Sequence, residues 1–305
     1  MVKNYQYIKQ NYAIFSRLLR HFPYTEIIIF FLPLFALLIA SSQIISVIDL
    51  FKVLPFVAMI TFAFTFNDLC DKNDPQGSNP ITSKASQNVA KIVLYTSLIA
   101  SILLFAFNYH SILAYILYGI FIFLNLSYSG LGLRFKETWF GPLVAALVGW
   151  VGGPIILASE YGFFTPSVIA LLFGVFLFGV SREITHTIMH HDIDISSGYK
   201  TFAVRAGIKT ALISKYITLV LAATAFMQIL PLAPALMLVA VLAFFLALAI
   251  EVGVDLYNPV IFKGYAFSPY IVVKFFTILL TCLMIGLSTL FTVIVLWIYG
   301  TSKRS

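Results

Sequence analysis

The chain has 305 residues, of which 61% are hydrophobic and only 10% are charged, and its mean hydropathy is +0.98. This composition excludes a soluble domain and is typical of a polytopic, all-α membrane protein. An outer-membrane barrel is also excluded, because the apolar runs are long and continuous rather than alternating. The net charge of +7 indicates attraction to anionic lipid headgroups or to a phosphorylated substrate, and no affinity for nucleic acid is expected.

The apolar runs predict nine transmembrane helices. Each run is close to or longer than the roughly 20 residues that cross a bilayer. We expect one membrane-embedded domain over residues 1–305, in which 1–24 form a cytoplasmic N-terminal segment. The predicted spans are 25–48, 50–69, 90–108, 111–128, 139–158, 166–188, 209–230, 232–252 and 270–299.

A first acid-rich stretch lies at the end of the second span, from Asn67 to Asp74. If the helix continues, Asp68, Asp71 and Asp74 recur at every third residue and share one face. Carboxylates at membrane depth are expensive to desolvate and usually mark an ion, substrate or proton site. Hard oxygen ligands at this spacing suit Mg²⁺, which binds through one or two carboxylates and a substrate phosphate. The alternative is a solvated helix end that only marks the membrane border.

A basic loop follows the fourth span, from Tyr128 to Lys136. Arg134 and Lys136 can pair with phosphate oxygens, Arg134 through its planar fork. Tyr128 can donate a hydrogen bond. The alternative is an ordinary positively charged cytoplasmic loop with an interfacial tyrosine.

A second polar stretch closes the sixth span. Glu183, His186, His190 and Asp194 are spaced by three, four and four residues, which predicts one polar stripe on a helix. Asp192 lies off the stripe but within reach if the helix unwinds near the loop. We interpret the stretch as a second metal site facing the first. A transition-metal site on the two histidines and Glu183, and a hydrogen-bonded stripe buried between helices, stay open.

Lys and Arg residues are strongly biased toward one side of the predicted membrane. With the N-terminus inside, inside segments carry fourteen of the 19, and outside segments carry only Lys52, Lys303 and Arg304. The bias places the N-terminus in the cytoplasm and predicts a multi-pass protein of the cell membrane. Both acidic stretches, the basic loop and Lys200, a further candidate phosphate contact, then lie on the cytoplasmic face.

These elements, in this order, resemble the UbiA-type intramembrane prenyltransferase superfamily. The resemblance covers most of the chain and rests on Asn-Asp-x-x-Asp followed by Asn-Pro-Ile, on a Tyr-Ser loop leading to Arg-x-Lys, and on a second Asp motif followed by Gly and Lys-Thr. One departure is His190, which stands where the family usually has Asp. The matching residues are Asn67, Asp68, Asp71, Asn79, Pro80, Ile81, Tyr128, Ser129, Arg134, Lys136, Asp194, Gly198, Lys200 and Thr201, with Arg182 and Glu183 upstream.

The resemblance implies a helix bundle around a central cavity, where two Mg²⁺ ions hold an isoprenyl diphosphate. It implies catalytic roles for Asp68, Asp71 and Asp194, and transfer of the isoprenyl group to a lipophilic acceptor within the membrane lipid. We expect an aromatic acceptor, and aromatic acids, quinone precursors, chlorophyll-like rings, glycerol phosphates and carotenoids all stay open. A membrane terpene cyclase of the same superfamily, and a non-catalytic ion- or lipid-binding membrane protein, are the alternatives. The candidate metal ligands are Asn67, Asp68, Asp71, Asp74, His190, Asp192 and Asp194, and the candidate diphosphate contacts are Tyr128, Arg134, Lys136 and Lys200.

Overall fold

The computed structural model describes Leu34, residues 47–71 and residues 84–228, and these residues are mostly helical. A 3₁₀ helix, Val47–Val53, leads into the first long helix, and a π-helical turn, Leu147–Val151, joins α4 to α5. The α-helices are α1 (Leu54–Cys70), α2 (Lys84–Asn108), α3 (Ile112–Ser129), α4 (Gly141–Ala146), α5 (Gly152–Glu160), α6 (Pro166–Met189), α7 (His191–Ser196), α8 (Phe202–Ala206) and α9 (Ile208–Met227).

Six stretches of the described residues are long and apolar enough to cross a membrane, and they correspond to the predicted spans two to seven. The predicted spans 25–48, 232–252 and 270–299 lie outside the described residues, apart from Leu34, Val47 and Ile48, so the total of nine stays a prediction. The six stretches are Phe51–Cys70, Gln87–Asn108, Ile112–Ser129, Gly141–Glu160, Pro166–Met189 and Ile208–Ala225.

Helix α6 is an uninterrupted span with a capped first turn. Its first turn is fixed by Pro166, and the Thr165 hydroxyl accepts the Val168 backbone N–H at 3.4 Å, so the chain enters the helix with a cap. Its 24 residues extend about 36 Å, enough to cross the hydrocarbon layer. Helix α9 packs along it, and α2 packs along α1. The position of α6 therefore brings the polar stretch at its end close to the other helix ends.

Aromatic rings and one hydroxyl group hold α1, α2 and α3 together. The Phe105 ring stacks on Tyr118 and Tyr109, with centroids 3.8 Å and 4.3 Å away. The buried Ser101 hydroxyl donates to the Pro55 carbonyl at 2.5 Å and lies 2.5 Å from the Tyr118 hydroxyl. Polar groups inside a bilayer need such internal partners, because no water is available to them.

A charged cluster closes the end of the bundle that lies away from Asp71. The Lys52 ammonium lies 3.3 Å from an Asp49 oxygen and 3.6 Å from a Glu160 oxygen. The Glu160 carboxylate, only 6% exposed, also accepts the backbone N–H groups of His110 at 3.0 Å and Ser111 at 2.9 Å. Glu160 therefore joins the start of α1, the α2–α3 turn and the end of α5.

We expect Glu160→Ala to lower the free energy of unfolding by about 3 kcal/mol, because it removes the acceptor of two backbone N–H groups and one of the two carboxylates that pair with Lys52. Thermal unfolding of the purified protein in detergent measures the effect. Thr96→Val is the matched control, because the exposed Thr96 hydroxyl bonds only carbonyls of its own helix. Equal melting temperatures for the two variants would contradict this account of the cluster.

Candidate functional site

The last turn of α1 presents two oxygen-bearing side chains in the same direction. The Asp71 backbone N–H donates to the Asn67 carbonyl at 3.0 Å, so the helical spacing continues through Asp71. Asp68, in the same turn, is buried at 9% exposure. That burial argues against the alternative of a solvated helix end. Asp74 lies outside the described residues.

The basic side chains of the α3–α4 loop meet this turn of α1. The Lys136 ammonium forms an ion pair with Asp71 and donates to the Asn67 amide oxygen at 3.1 Å. The Arg134 guanidinium lies 3.3 Å from the same Asp71 oxygen, and the Ser129 hydroxyl donates to the Asn67 oxygen at 2.8 Å. The loop is thus more than a carrier of surface charge, because it places two cations against the first acidic motif.

The loop backbone is unusually constrained where it approaches α1. Leu131 and Arg134 have φ angles of 51° and 41°, a region that L side chains rarely adopt. Such conformations cost about 1–3 kcal/mol each and cluster at functional sites. A Cβ atom on Gly130 would lie 2.7 Å from the Phe66 ring, so only glycine allows this approach. The constrained backbone holds Arg134 and Lys136 next to Asp71.

Glu137 connects the loop to the second motif, and the sequence analysis did not single it out. Its carboxylate forms an ion pair with Arg134 Nε, and its backbone carbonyl accepts the Lys200 N–H at 3.0 Å. The three-residue spacing of Arg134 and Glu137, typical of helical ion pairs, was the available signal. The Lys200 side chain is exposed. Glu137 therefore ties the segment after the second motif to the basic loop.

The predicted stripe crosses a junction between two helices rather than lying on one. Helix α6 ends at Met189, His190 caps it, and α7 starts at His191. The His186 and His190 rings are 4.5 Å apart between centroids. Because Glu183 is only partly buried and His186 is exposed, the stripe borders space that protein does not fill.

Asp194 and Asp192 have different surroundings. Asp194 is 6% exposed and accepts the Thr201 hydroxyl at 2.8 Å. Burial raises the pKa of the Asp194 carboxyl, and the Thr201 hydrogen bond and the nearby histidines offset part of that rise. The Asp192 side chain is 89% exposed and lies 3.1 Å from His191 Nδ1. The structure thus directs Asp194 inward and Asp192 toward the surface.

Tyr128 lies in the last turn of α3, directly before Ser129, whose hydroxyl donates to the Asn67 oxygen. Within residues 47–71 and 84–228, no three or more His, Cys, Asp or Glu side chains form a group able to hold a metal ion alone. The transition-metal site on Glu183, His186 and His190 is therefore not formed there. The oxygens of Asn67, Asp68, Asp71 and Asp194 suit Mg²⁺ if phosphate oxygens and water complete the coordination.

Several solved structures share the fold of this chain. A UbiA homolog from Archaeoglobus fulgidus bound to GPP and Mg²⁺ is 19% identical, with a TM-score of 0.64 over 91% of this chain and 99% of that chain. A digeranylgeranylglyceryl phosphate synthase is 20% identical, with a TM-score of 0.59 over 92% and 98%. The apo UbiA homolog from Aeropyrum pernix K1 is 15% identical, with a TM-score of 0.58 over 92% and 98%. At these identities the likeness establishes the fold.

No curated protein sequence matches the chain. The model of the UbiA prenyltransferase family matches residues 28–260, which is more than two thirds of the 305 residues. The matched region contains the end of α1, the basic loop and the junction of α6 with α7. The chain is a multi-pass, all-helical membrane protein, and it belongs to the UbiA prenyltransferase family.

Proposed function

We propose that this chain transfers an isoprenyl group from a prenyl diphosphate to a lipophilic, aromatic acceptor within the membrane. The observation that carries the proposal is the meeting of Arg134 and Lys136 with Asn67 and Asp71. Cations and hard oxygen ligands in one place suit a metal-bound diphosphate. The Archaeoglobus fulgidus homologs bound to GPP or DMAPP with Mg²⁺ support this substrate and cofactor.

The acidic residues hold the cofactor in this proposal. When bound, Mg²⁺ neutralises charge on the diphosphate and so makes it a better leaving group. Asn67, Asp68 and Asp71 offer oxygens at the end of α1, and Asp194 offers its carboxylate across the site. The Thr201 hydroxyl donates a hydrogen bond to Asp194 Oδ2, and this bond orients the carboxylate. We retain Asp74 and His190 as predicted ligands, whereas Asp192 stays a prediction from the sequence alone, because its side chain is 89% exposed.

The basic residues act on the diphosphate. Lys136 and Arg134 exchange their contacts with Asp71 for diphosphate oxygens as the substrate enters. Glu137 pairs with Arg134 Nε, and the Arg134 Nη2 that contacts Asp71 can turn toward phosphate while this pair holds the side chain in place. Tyr128 donates a hydrogen bond to the same group, and Lys200 approaches from the second motif. The negative charge that develops on the leaving diphosphate is therefore stabilised by hydrogen-bond donors that are already in position.

The chemical step breaks one bond to the allylic carbon and forms another. The bond between the allylic carbon and the diphosphate oxygen breaks, and its electron pair leaves with the diphosphate. The acceptor attacks the allylic cation and then loses a proton. The surrounding bundle must exclude water, which would otherwise capture the cation as an alcohol.

The Lys and Arg bias supports an orientation with the N-terminus in the cytoplasm of a cell and the site on the cytoplasmic face. Prenyl diphosphates are charged and water-soluble at one end. They can therefore reach this face directly, while their tails enter the bundle.

Metal removal tests the proposal. Purified protein incubated with labelled GPP and methyl 4-hydroxybenzoate is expected to release pyrophosphate and form a prenylated product. EDTA should lower both by at least about 100-fold, and excess Mg²⁺ should restore them. Pyrophosphate release that is independent of metal, or no cleavage of any prenyl diphosphate from DMAPP upward, would overturn the proposal. A cyclised hydrocarbon formed without acceptor would assign the terpene cyclase alternative.

A further inference from the structure

A buried tryptophan holds the Glu183 carboxylate in the membrane-spanning part of α6. Trp150 Nε1 donates to Glu183 Oε1 at 3.1 Å. Within the described part of the chain no second donor contacts this carboxylate, and the side chain remains partly accessible. Desolvating a carboxylate at this depth of the membrane costs free energy, and acidic residues there are usually functional.

The local sequence is built to bring Trp150 to this carboxylate. Pro154 has no N–H to donate to the Trp150 carbonyl, and the helix carries a π-helical turn, Leu147–Val151, at this point. On α6, a Cβ atom at Gly179 would lie 2.7 Å from Trp150 Cγ. The indole therefore fits flat against α6 only because that position is glycine.

Glu183 faces the site but lies deeper than the diphosphate-binding residues. It precedes the end of α6 at Met189 by six residues, a rise of about 9 Å. It belongs to the polar stripe with His186 and His190, which borders space that protein does not fill and leads to Asp194. A molecule that contacts Glu183 would meet the diphosphate from its hydrocarbon side. That is the side from which an acceptor must approach the allylic carbon.

The charge around Glu183 selects among acceptors. No Lys or Arg of the described residues forms an ion pair with it, and the adjacent Arg182 lies over the Phe178 ring at 5.2 Å. A carboxylated acceptor would bring a second negative charge next to Glu183, which pairs with no Lys or Arg of the described residues. A neutral hydroxyl group could instead donate a hydrogen bond to the accessible oxygen.

We infer that Glu183 is an acceptor-binding residue that accepts a hydrogen bond from a neutral hydroxyl group, and that Trp150 is its positioning residue. This inference rests on the proposed prenyl transfer. Among the proposed aromatic acceptors, it selects neutral phenols and excludes aromatic acids. In the transfer step the acceptor oxygen bonds to the allylic carbon, the electron pair of the broken C–O bond leaves with diphosphate, and the hydroxyl proton passes to Glu183, which releases it to bulk water after the product has left.

Binding of a matched pair of phenols tests the inference without turnover. The protein is loaded with Mg²⁺ and the unreactive analogue geranyl S-thiolodiphosphate, and calorimetry then measures binding of methyl 4-hydroxybenzoate and of 4-hydroxybenzoate. The two compounds share the phenol and differ in charge. We expect the wild type to bind the ester at least about tenfold more tightly. Glu183→Gln should bring the two affinities to within about twofold of each other.

Trp150→Phe should weaken ester binding roughly tenfold, because it keeps the packing on Gly179 but removes the N–H that fixes Glu183. Trp139→Phe is the matched control, since Trp139 is 48% exposed, and it should bind both phenols as the wild type does. Retained Mg²⁺-dependent binding of the thiolodiphosphate shows that each variant is folded. Loss of that binding in the wild type would instead contradict the proposed function.

Equal affinity of the wild type for the two compounds, tighter binding of the acid, or no binding of either would overturn the inference. So would an unchanged preference in Glu183→Gln.

Discussion

We expect Asp71→Asn to reduce the rate of prenyl transfer by about 10²–10³-fold at saturating GPP and Mg²⁺. The substitution keeps the size of the side chain but removes the charge that pairs with Arg134 and Lys136 and that we propose as a ligand of Mg²⁺. Transfer of labelled geranyl to methyl 4-hydroxybenzoate measures the rate. Calorimetry with the thiolodiphosphate separates weaker substrate binding from slower chemistry.

Asp192→Asn is the matched control for this prediction. Asp192 is 89% exposed and pairs with His191, so its charge can be removed with little effect. We expect a transfer rate within about twofold of the wild type. A large loss in this variant would support its predicted role as a metal ligand, and a wild-type rate in Asp71→Asn would contradict the proposed site.

The second large effect is expected for Lys136→Met, which keeps the length of the side chain but removes the ammonium group. We expect the affinity for GPP to fall about 100-fold, because a charge-assisted contact to phosphate is lost. Titration of the Mg²⁺-loaded protein with the thiolodiphosphate measures the dissociation constant. The melting temperature without ligand distinguishes this loss from a loss of folding, since Lys136 also pairs with Asp71.

Lys91→Met is the control for charge alone, because Lys91 is exposed on α2 and outside the site. It should leave the GPP affinity within about twofold of the wild type. If Lys136→Met retained the wild-type affinity, Lys136 would be only a counter-ion for Asp71.

The sequence predicts the described spans well, because their length and hydropathy are properties of single segments. The predicted span 166–188 matches Pro166–Met189, and 111–128 matches Ile112–Ser129. The interruption of 139–158 by a π-helical turn was not predicted. Pro154 has no N–H to donate to the Trp150 carbonyl, and this missing hydrogen bond explains the π-helical turn. The spacing of apolar residues in the sequence does not reveal it.

The site could be predicted as a set of residues but not as a geometry. The motifs identify Asn67, Asp71, Arg134 and Lys136, and the structure brings these four together. The cluster of Lys52 with Glu160 was out of reach, because its members are separated by more than a hundred residues. The difference between Asp192 and Asp194 depends on where α7 begins.

Glu137 and Trp150 were missed in the sequence analysis for the same reason, because sequence patterns do not show which residues contact each other. Glu137 acts through a side chain and a backbone carbonyl that face different neighbours. Trp150 looks like any apolar residue of a span until its N–H is traced to Glu183. The roles of both residues become visible only from the side chains and carbonyls that they contact, and these contacts are known only from the three-dimensional structure.

The contacts of Lys136 and Arg134 with Asp71 also bear on product departure. Once inorganic pyrophosphate begins to leave, both cations can return to this carboxylate instead of facing the bilayer unpaired. Their return lowers the electrostatic penalty of releasing a highly charged anion from a low-dielectric interior. Under the proposed function the protein would thereby avoid trapping its own by-product, and product inhibition by pyrophosphate should be weak.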